Sequence, residues 1–204
     1  MKIRGIEITL HSNEDLSNHI RRENDFFEAE ILDYIRDSFP KQHTILDIGA
    51  NIGNHSVYFA NFLKYISIVA FEPIPANLGL LVGNLQPYTG IYVVPYALSD
   101  KREVIPMTEK LDNMGMSGYD TNGKILAEAY PLDFFNYNNV TLMKIDVENM
   151  EPKVLLGAKE TIQRCKPLIL IEDNFNTYSG LLPDYECING WEISKTYLYK
   201  WRSK

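Results

Sequence analysis

The sequence predicts an α/β protein: a doubly wound, mostly parallel sheet with helices on both faces, preceded by an N-terminal helical segment. Three observations predict it. The run Ile45-Leu46-Asp47-Ile48-Gly49-Ala50-Asn51-Ile52-Gly53-Asn54-His55 reads as a buried strand that turns on glycines into a helix. A second apolar strand, Ile68-Val69-Ala70-Phe71, ends in Glu72-Pro73. Glu72 follows Gly53 at close to the ~20-residue offset at which a nucleoside-binding unit sets an acid on a ribose hydroxyl. Downstream, apolar runs alternate with segments of helical period, the signature of parallel strands joined by crossover helices.

Each element has its own signal. Ile3 to Thr9 reads as a short strand. Asn24 or Asp25 reads as a helix cap, with Glu28 completing a capping box after Asp25. Phe27, Ile31, Tyr34 and Ile35 then share one helical face, and Pro40 ends it. A strand at Thr44–Ile48 precedes a helix at Asn54–Leu63, and a strand at Ser67–Phe71 precedes a helix at Pro75–Leu85. Ile91–Val94 is a third strand. Arg102–Met107 reads as a strand and residues 113–118 as a loop. Val140–Ile145 is a buried strand, and Pro152 suits the first turn of a helix running to about Cys165. Pro167–Glu172 is another central strand, and Trp191–Tyr199 the last. Asp47, Glu72, Asp146, Glu148 and Glu172 all fall near the carboxyl ends of strands, where open α/β sheets bind ligands.

The chain has 204 residues, enough for one domain with a sizeable core. The expected organisation is a single domain over residues 1–204, with a strand-and-helix cover at 1–40 and the sheet from 41 onward. A formal net charge of −7 argues against nucleic acid as main partner, because phosphate binding needs a basic footprint. Lys195, Lys200, Arg202 and Lys204 crowd the C-terminal end and read as a solvated tail. Cys165 and Cys187 are the only cysteines, with no C-x-x-C, so a reduced, cytoplasmic setting is expected. No apolar run reaches the ~20 residues that span a bilayer, and Met1 to Leu10 lacks the apolar core of a signal peptide.

The glycine turn selects among ligands. A dinucleotide loop places a close second glycine against the pyrophosphate; here Asn51 stands in that position. A side chain there hinders a pyrophosphate but is compatible with S-adenosylmethionine (SAM), which carries ribose and adenine without phosphate. No G-K-[ST] follows, which removes the P-loop reading. A tight strand-to-helix turn without ligand is the bland alternative, and the strand before it, the helix after it and Glu72 weigh against that.

Ile45–Ala60, the A-F-E-P block at Ala70–Pro73, Y-A-L-S-D at Tyr96–Asp100, Leu142–Ala158 and K-P-L-I-L-I-E at Lys166–Glu172 together resemble the FkbM-type SAM-dependent methyltransferases, over about residues 25 to 172. One departure is Asn149, where the family usually has glycine; asparagine is the non-glycine residue that best tolerates positive φ. The resemblance implies a Rossmann-like class I methyltransferase fold, seven-stranded with the last strand antiparallel. It also implies methyl transfer, commonly to a hydroxyl of a sugar or small natural product, leaving S-adenosylhomocysteine (SAH).

Carried onto this sequence, the resemblance assigns Asp47, Gly49, Ala50, Asn51 and Gly53 to the cofactor loop, with Asp47 either on the amino group or holding the following helix. Glu72, beside Pro73, accepts the ribose hydroxyls, a bidentate task suited to a carboxylate. Ala97 and Leu98 lie where such enzymes wrap adenine. Asp146, also a cofactor contact, and Glu148 face the transferred methyl. Either acid reads as general base or as a structural acid, with Glu148 capping the next helix or pairing with Lys144; a cation site is the weaker alternative and no metal is expected. Asn77 reads as a helix cap. Phe27 and Glu28 sit where the family carries an aromatic–acid pair, but core packing and capping explain them. His55 packs near the loop, and His11 and His19 lie in a segment suited to cover the site. Tyr119, Tyr130, Phe134, Phe135 and Tyr137 form a sugar-stacking wall or simply core. The readings that compete with a hydroxyl-directed enzyme on a small-molecule or carbohydrate acceptor are a non-catalytic nucleoside-binding module, an NAD-dependent oxidoreductase, and a methyltransferase acting on protein or nucleic acid. Asn51 argues against NAD, and the absence of an N-P-P-[FYW] signature favours oxygen over exocyclic nitrogen.

Overall fold

A computed structural model describes residues 1–110, 113, 116–173 and 178–202. The main sheet has seven strands. In chain order these are β3 (His43–Ile48), β4 (Tyr65–Phe71), β5 (Ile91–Val94), β10 (Leu142–Ile145), β11 (Leu168–Glu172), β12 (Tyr185–Trp191) and β13 (Thr196–Trp201). They lie in the order β12-β13-β11-β10-β3-β4-β5. The five strands from β11 to β5 are parallel, while β13 runs antiparallel to β11 and β12 antiparallel to β13. From β3 the chain steps outward to β4 and β5, then returns to add β10 on the other side. The carboxyl ends of β3 and β10 therefore flank the switch point, where the diverging connections leave a crevice.

The parallel strands are apolar on both faces because helices cover both. Side chains alternate between the two. Ile45, Ile68, Leu142 and Leu170 pack on one side, beneath α2 (Ala29–Ser38), α3 (Asn54–Phe62) and α4 (Pro75–Leu85). Leu46, Val69, Met143 and Ile169 pack on the other, against α5 (Glu151–Gly157) and α6 (Lys159–Cys165). Continued toward the carboxyl ends, the first alternation places Asp47, Glu72, Lys144, Asp146 and Glu172 on one face. The apolar pattern on that face thus gives way to charge as the strands approach the crevice.

Several expected boundaries differ. The N-terminal strand is a two-stranded hairpin, β1 (Lys2–Ile3) with β2 (Ile6–Glu7), turning on Arg4 and Gly5, both at positive φ. A helix α1 (Asp15–Glu23) follows that the sequence reading did not contain; Asn24 ends it in the left-handed region rather than starting a helix. No capping box forms at α2. Asp25 bonds Arg4 and the backbone of Phe26, and Glu28 sits at φ 58 with no cap bond. The helix after Pro152 breaks at Ala158, because Asp133 captures the N–H groups of Glu160 and Thr161 at 3.0 and 2.8 Å and starts α6 afresh. The last strand is a hairpin, since Trp191 ends β12 and Thr196 opens β13.

A second, four-stranded sheet lies over the carboxyl ends. It orders β6 (Ala97–Leu98), β9 (Ile125–Tyr130), β7 (Glu103–Thr108) and β8 (Gly118–Tyr119). Its inward positions Ile105, Met107, Ala127 and Ala129 join Ile74 and Met150 in a small core of their own. Within the expected loop at 113–118, Met114 and Gly115 lie outside the described residues, as does Lys204 of the basic tail.

Candidate active site

The crevice opens into a cavity of about 450 Å³ between the strand ends, α1 and the second sheet. Of the expected site residues, Gly49, Ala50, Asn51, Glu72, Pro73, Ala97, Leu98, Asp146 and Glu148 all line it. Asp47 and Gly53 do not. Asp47 is fully buried beneath the floor, where its Oδ2 accepts from Ser56 of α3 at 2.6 Å and its Oδ1 has no hydrogen-bond donor. Gly53 takes φ +90 and begins α3. Its place is against Leu81, whose Cδ1 would lie 2.9 Å from an added Cβ.

The turn itself is tightly drawn. The N–H groups of Gly49 and Ala50 both donate to Phe71 O, which ties β3 to β4. Gly49 has φ +78, and a Cβ there would overlap the backbone oxygen of Asp146. Gly49→Ala is therefore expected to cost about 2–5 kcal/mol, the sum of a left-handed backbone and overpacking against fixed main chain. Urea unfolding measures it, and a wild-type midpoint would contradict the close approach of β3 to β10. Asn51, Glu28, Glu148 and Asn149 also hold positive φ. Asparagine at 149 carries φ 76 in place of the family's glycine, and the first three of these residues line the cavity. Unfavourable backbone of this kind gathers where a site fixes side-chain direction.

Glu72 is 4% exposed, with Oε2 accepting from the N–H of Asn51 at 2.8 Å and Oε1 from that of Ile74 at 2.9 Å. Burial outweighs these bonds and that of Asn77, and pushes the carboxyl up to about 7. Asn77 does not cap α4; it bonds Glu72 and, through Oδ1, the Nε2 of His11 at 2.9 Å.

Lys144, which the sequence offers only as a partner for Glu148, is a central residue of the floor. It pairs in register with Asp47, and the residue is 4% exposed. Nζ donates to Gly49 O at 2.7 Å and lies 3.3 Å from Asp146 and 3.6 Å from Asp47. Burial disfavours the cation, but Asp146, Asp47 and Glu28 more than offset it and hold its pKa above the ordinary lysine range. Lys144 thus pairs with Asp146, not Glu148. Nor does Glu148 cap α5; Glu151 instead reaches back to the N–H of Val147 at 3.0 Å.

Two further residues that read as packing and capping belong to the cavity wall. Phe27 is tied to α3 by paired bonds with the Asn54 amide at 3.0 and 3.1 Å. Glu28 faces His55 Nε2 at 3.0 Å and accepts from Thr196 Oγ1 at 2.8 Å. Burial works against the Glu28 carboxylate, yet His55, Thr196 and Lys144 keep its pKa low. His19 of α1 also lines the cavity. The aromatic wall runs behind the site as a chain of ring contacts from Phe71 through Phe135 to Tyr130; Phe71 and Tyr96, which contacts Tyr130, are the rings of that cluster on the cavity.

On the far side Asp146, Glu148 and Glu172 converge, with a carboxylate oxygen of each within 4.8 Å of the others. Burial, then Asp146 and Glu151, raise Glu148 to about 7. Burial, then Asp146 and Glu148, raise Glu172 to about 8. At neutral pH Glu172 therefore holds its proton.

Residues 47–197 match the Methyltransferase FkbM domain family. The chain belongs to that family. The FkbM chain is 24% identical to the methyltransferase sdnD of Sordaria araneosa, over 78% of this chain and 77% of that protein. It is 26% identical to Methyltransferase 1 of Beauveria bassiana, over 60% and 61%. Among solved structures, a methyltransferase FkbM from Methylobacillus flagellatus superposes with TM-score 0.62 at 22% identity, covering 82% of this chain and 46% of that one. This FkbM chain thus spans under half the length of that relative. Precorrin-6y C5,15-methyltransferase of Geobacter metallireducens superposes with TM-score 0.51 at 13% identity, over 96% and 98%. These neighbours share the Rossmann-like fold. No helix among the described residues is long and apolar enough to cross a membrane.

Proposed function

We propose that this methyltransferase uses SAM and methylates a hydroxyl oxygen of a carbohydrate or small natural product. The observation that carries the reading is the charge of the cavity. Asp15, Glu28 and Asp146, with Glu72 and Glu148 partly ionised near pH 7 and Glu172 neutral, line it against the ammonium of Lys144, the one lysine or arginine among the described lining residues. Such a wall repels the pyrophosphate of a dinucleotide and the backbone of a nucleic acid, and suits a cationic ligand without phosphate. It sits beside an apolar end at Phe71, Ala97 and Leu98, fit for an adenine. The buried carboxylate of Glu72 faces the space between, and the close-drawn turn at Gly49 leaves no side chain in the way.

In this reading SAM supplies a methyl group on a positively charged sulfur. The residues of the chain do the rest. Glu72 accepts the ribose hydroxyls with the lone pairs left by Asn51 and Ile74. The acids around the crevice favour a cation over its neutral product. Glu148 takes the proton of the acceptor hydroxyl, whose oxygen forms the new bond to carbon as the carbon–sulfur bond breaks. Most of the acceleration comes from holding oxygen and methyl in line.

Calorimetric titration with SAM, SAH and NAD tests the reading. Saturable binding of the first two and none of NAD is expected. Glu72→Ala should weaken both by about 100-fold, the loss of two charge-assisted hydrogen bonds. A protein that binds neither SAM nor SAH would refute the assignment.

A further inference from the structure

A second cavity, of about 330 Å³, lies on the far side of Glu148. It shares Met116 and Glu148 with the main cavity. Glu148 therefore stands in the partition between two chambers, within reach of both. The partition is held firmly. Gly118 of β8 packs on the Glu148 side chain so closely that a Cβ at 118 would lie 2.6 Å from that of Glu148. Val147 and Glu151 fix the main chain on the other side through the 3.0 Å bond already described.

The walls of this chamber have a distinct chemistry. Thr108, Tyr119 and Thr121 bring hydroxyls, Asp120 a carboxylate, Asn149 an amide and Lys110 an ammonium. Met116 is the one apolar side chain among the described lining residues. Asp120 is oriented by Thr108 Oγ1 and by the N–H of Asn122, each at 2.9 Å, which leaves lone pairs for a ligand. The Tyr119 ring is 36% exposed, and the Lys153 ammonium 5.7 Å from its centroid helps hold it. A greasy aglycone would leave these groups without partners. The two carboxylates against one ammonium do not suit a phosphodiester. A ring carrying several hydroxyls satisfies the donors and acceptors and can stack its C–H face on Tyr119.

We propose that the second cavity is the acceptor subsite and takes a polyhydroxylated ring, one hydroxyl of which is presented to Glu148 at the partition. The proposal rests on the methyl-transfer reading and assigns that reaction's acceptor side. Cofactor and acceptor then enter separate chambers and meet at one carboxylate.

Saturation-transfer NMR on the full chain, saturated with SAH, tests it. The probes are the methyl glycosides of glucose, mannose and rhamnose at millimolar concentration, with catechol and a short RNA as rival acceptor classes. At least one glycoside should show transfer. Tyr119→Ala should weaken its binding roughly fivefold, while Tyr119→Phe, which keeps the ring, should restore most of it; calorimetry should show SAH affinity unmoved in both. SAH binding with no glycoside signal, or with catechol or RNA bound instead, overturns the proposal alone. A glycoside signal indifferent to Tyr119→Ala also overturns it. Failure of SAH itself to bind defeats the methyl-transfer reading beneath it.

Discussion

Glu148→Gln is expected to lower kcat by about 10²- to 10⁴-fold, the usual contribution of a positioned base, while SAH still binds with nearly wild-type affinity. The amide keeps the shape of the carboxylate and its contact with Gly118, so the partition should survive. The pH profile gives the sharper test. Burial, with Asp146 and Glu151 adding repulsion, lifts the Glu148 carboxyl to about 7. Only the ionised form accepts a proton. Turnover should therefore rise about tenfold per pH unit below 7 and level off above it, and the rising limb should vanish in Glu148→Gln. Asp146→Asn should behave differently. Its carboxylate is engaged by Lys144 at 3.3 Å, so its loss should disturb the cofactor end, and because it also removes repulsion from Glu148 the limb should persist but move to lower pH. Full turnover in Glu148→Gln, or a limb that survives it, would remove Glu148 as base.

The raised Glu172 prepares this arrangement. Held protonated up to about pH 8, it withholds a negative charge from a corner where Asp146 and Glu148 already sit. Three ionised carboxylates within 4.8 Å would repel one another strongly. A neutral Glu172 can donate to Asp146, which leaves Glu148 as the carboxylate with a free lone pair toward the acceptor.

The strands and the loop at the switch point were legible because their signals are local. A strand buried on both faces is an unbroken apolar run, and a glycine forced to positive φ marks a turn whatever surrounds it. The nine residues Asp15–Glu23 hid a helix because Leu16 and Ile20 are its only large apolar side chains. Its cap is Glu14, which accepts from the N–H groups of Leu16 and Ser17; glutamate is not among the residues favoured there. The second sheet was half visible. Glu103–Thr108 alternates, but its long partner Ile125–Tyr130 brings only alanines, Ala127 and Ala129, to the inward positions between its ends, and its other partner, Gly118–Tyr119, is two residues long and fixed only by the tertiary fold. Tyr185–Trp191 was masked by Asn189 and Gly190 at a register shift. Glu28 was misread because a glutamate three residues after an aspartate fits a capping box; what redirects it is His55 and Thr196, neither near it in sequence. Lys144 did carry a signal. A lysine between Met143 and Ile145, in a strand otherwise wholly apolar, must find its counter-charge inside the protein, and the pairing register supplies Asp47 directly opposite.

That burial makes Lys144→Met the substitution with the largest expected effect on stability. Removing one partner of a buried ion pair costs about 3–5 kcal/mol, because the other is left desolvated and uncompensated. Here two acids lose their cation at once. Asp47 is wholly buried, with one oxygen lacking a hydrogen-bond donor even in the intact protein, and Gly49 O loses its 2.7 Å donor. For a domain of this size the midpoint of thermal unfolding should fall by roughly 10 °C. Combining the change with Asp47→Asn should recover a good part of the loss, since the neutral amide no longer needs a counter-ion, and the non-additivity of that cycle measures the coupling between the two strands. The ligands add an independent readout. Among the described residues Lys144 is the one ammonium lining the crevice, so its removal deepens the negative potential there, an effect that a cationic ligand feels and its neutral product does not. Lys144→Met, at a temperature where it is folded, should therefore shift the ratio of SAM to SAH affinity toward SAM. A variant with wild-type stability would show that the buried network contributes nothing net. One with the stability loss but an unchanged SAM-to-SAH ratio would show that Lys144 supports the turn at Gly49 without shaping the field at the reacting centre.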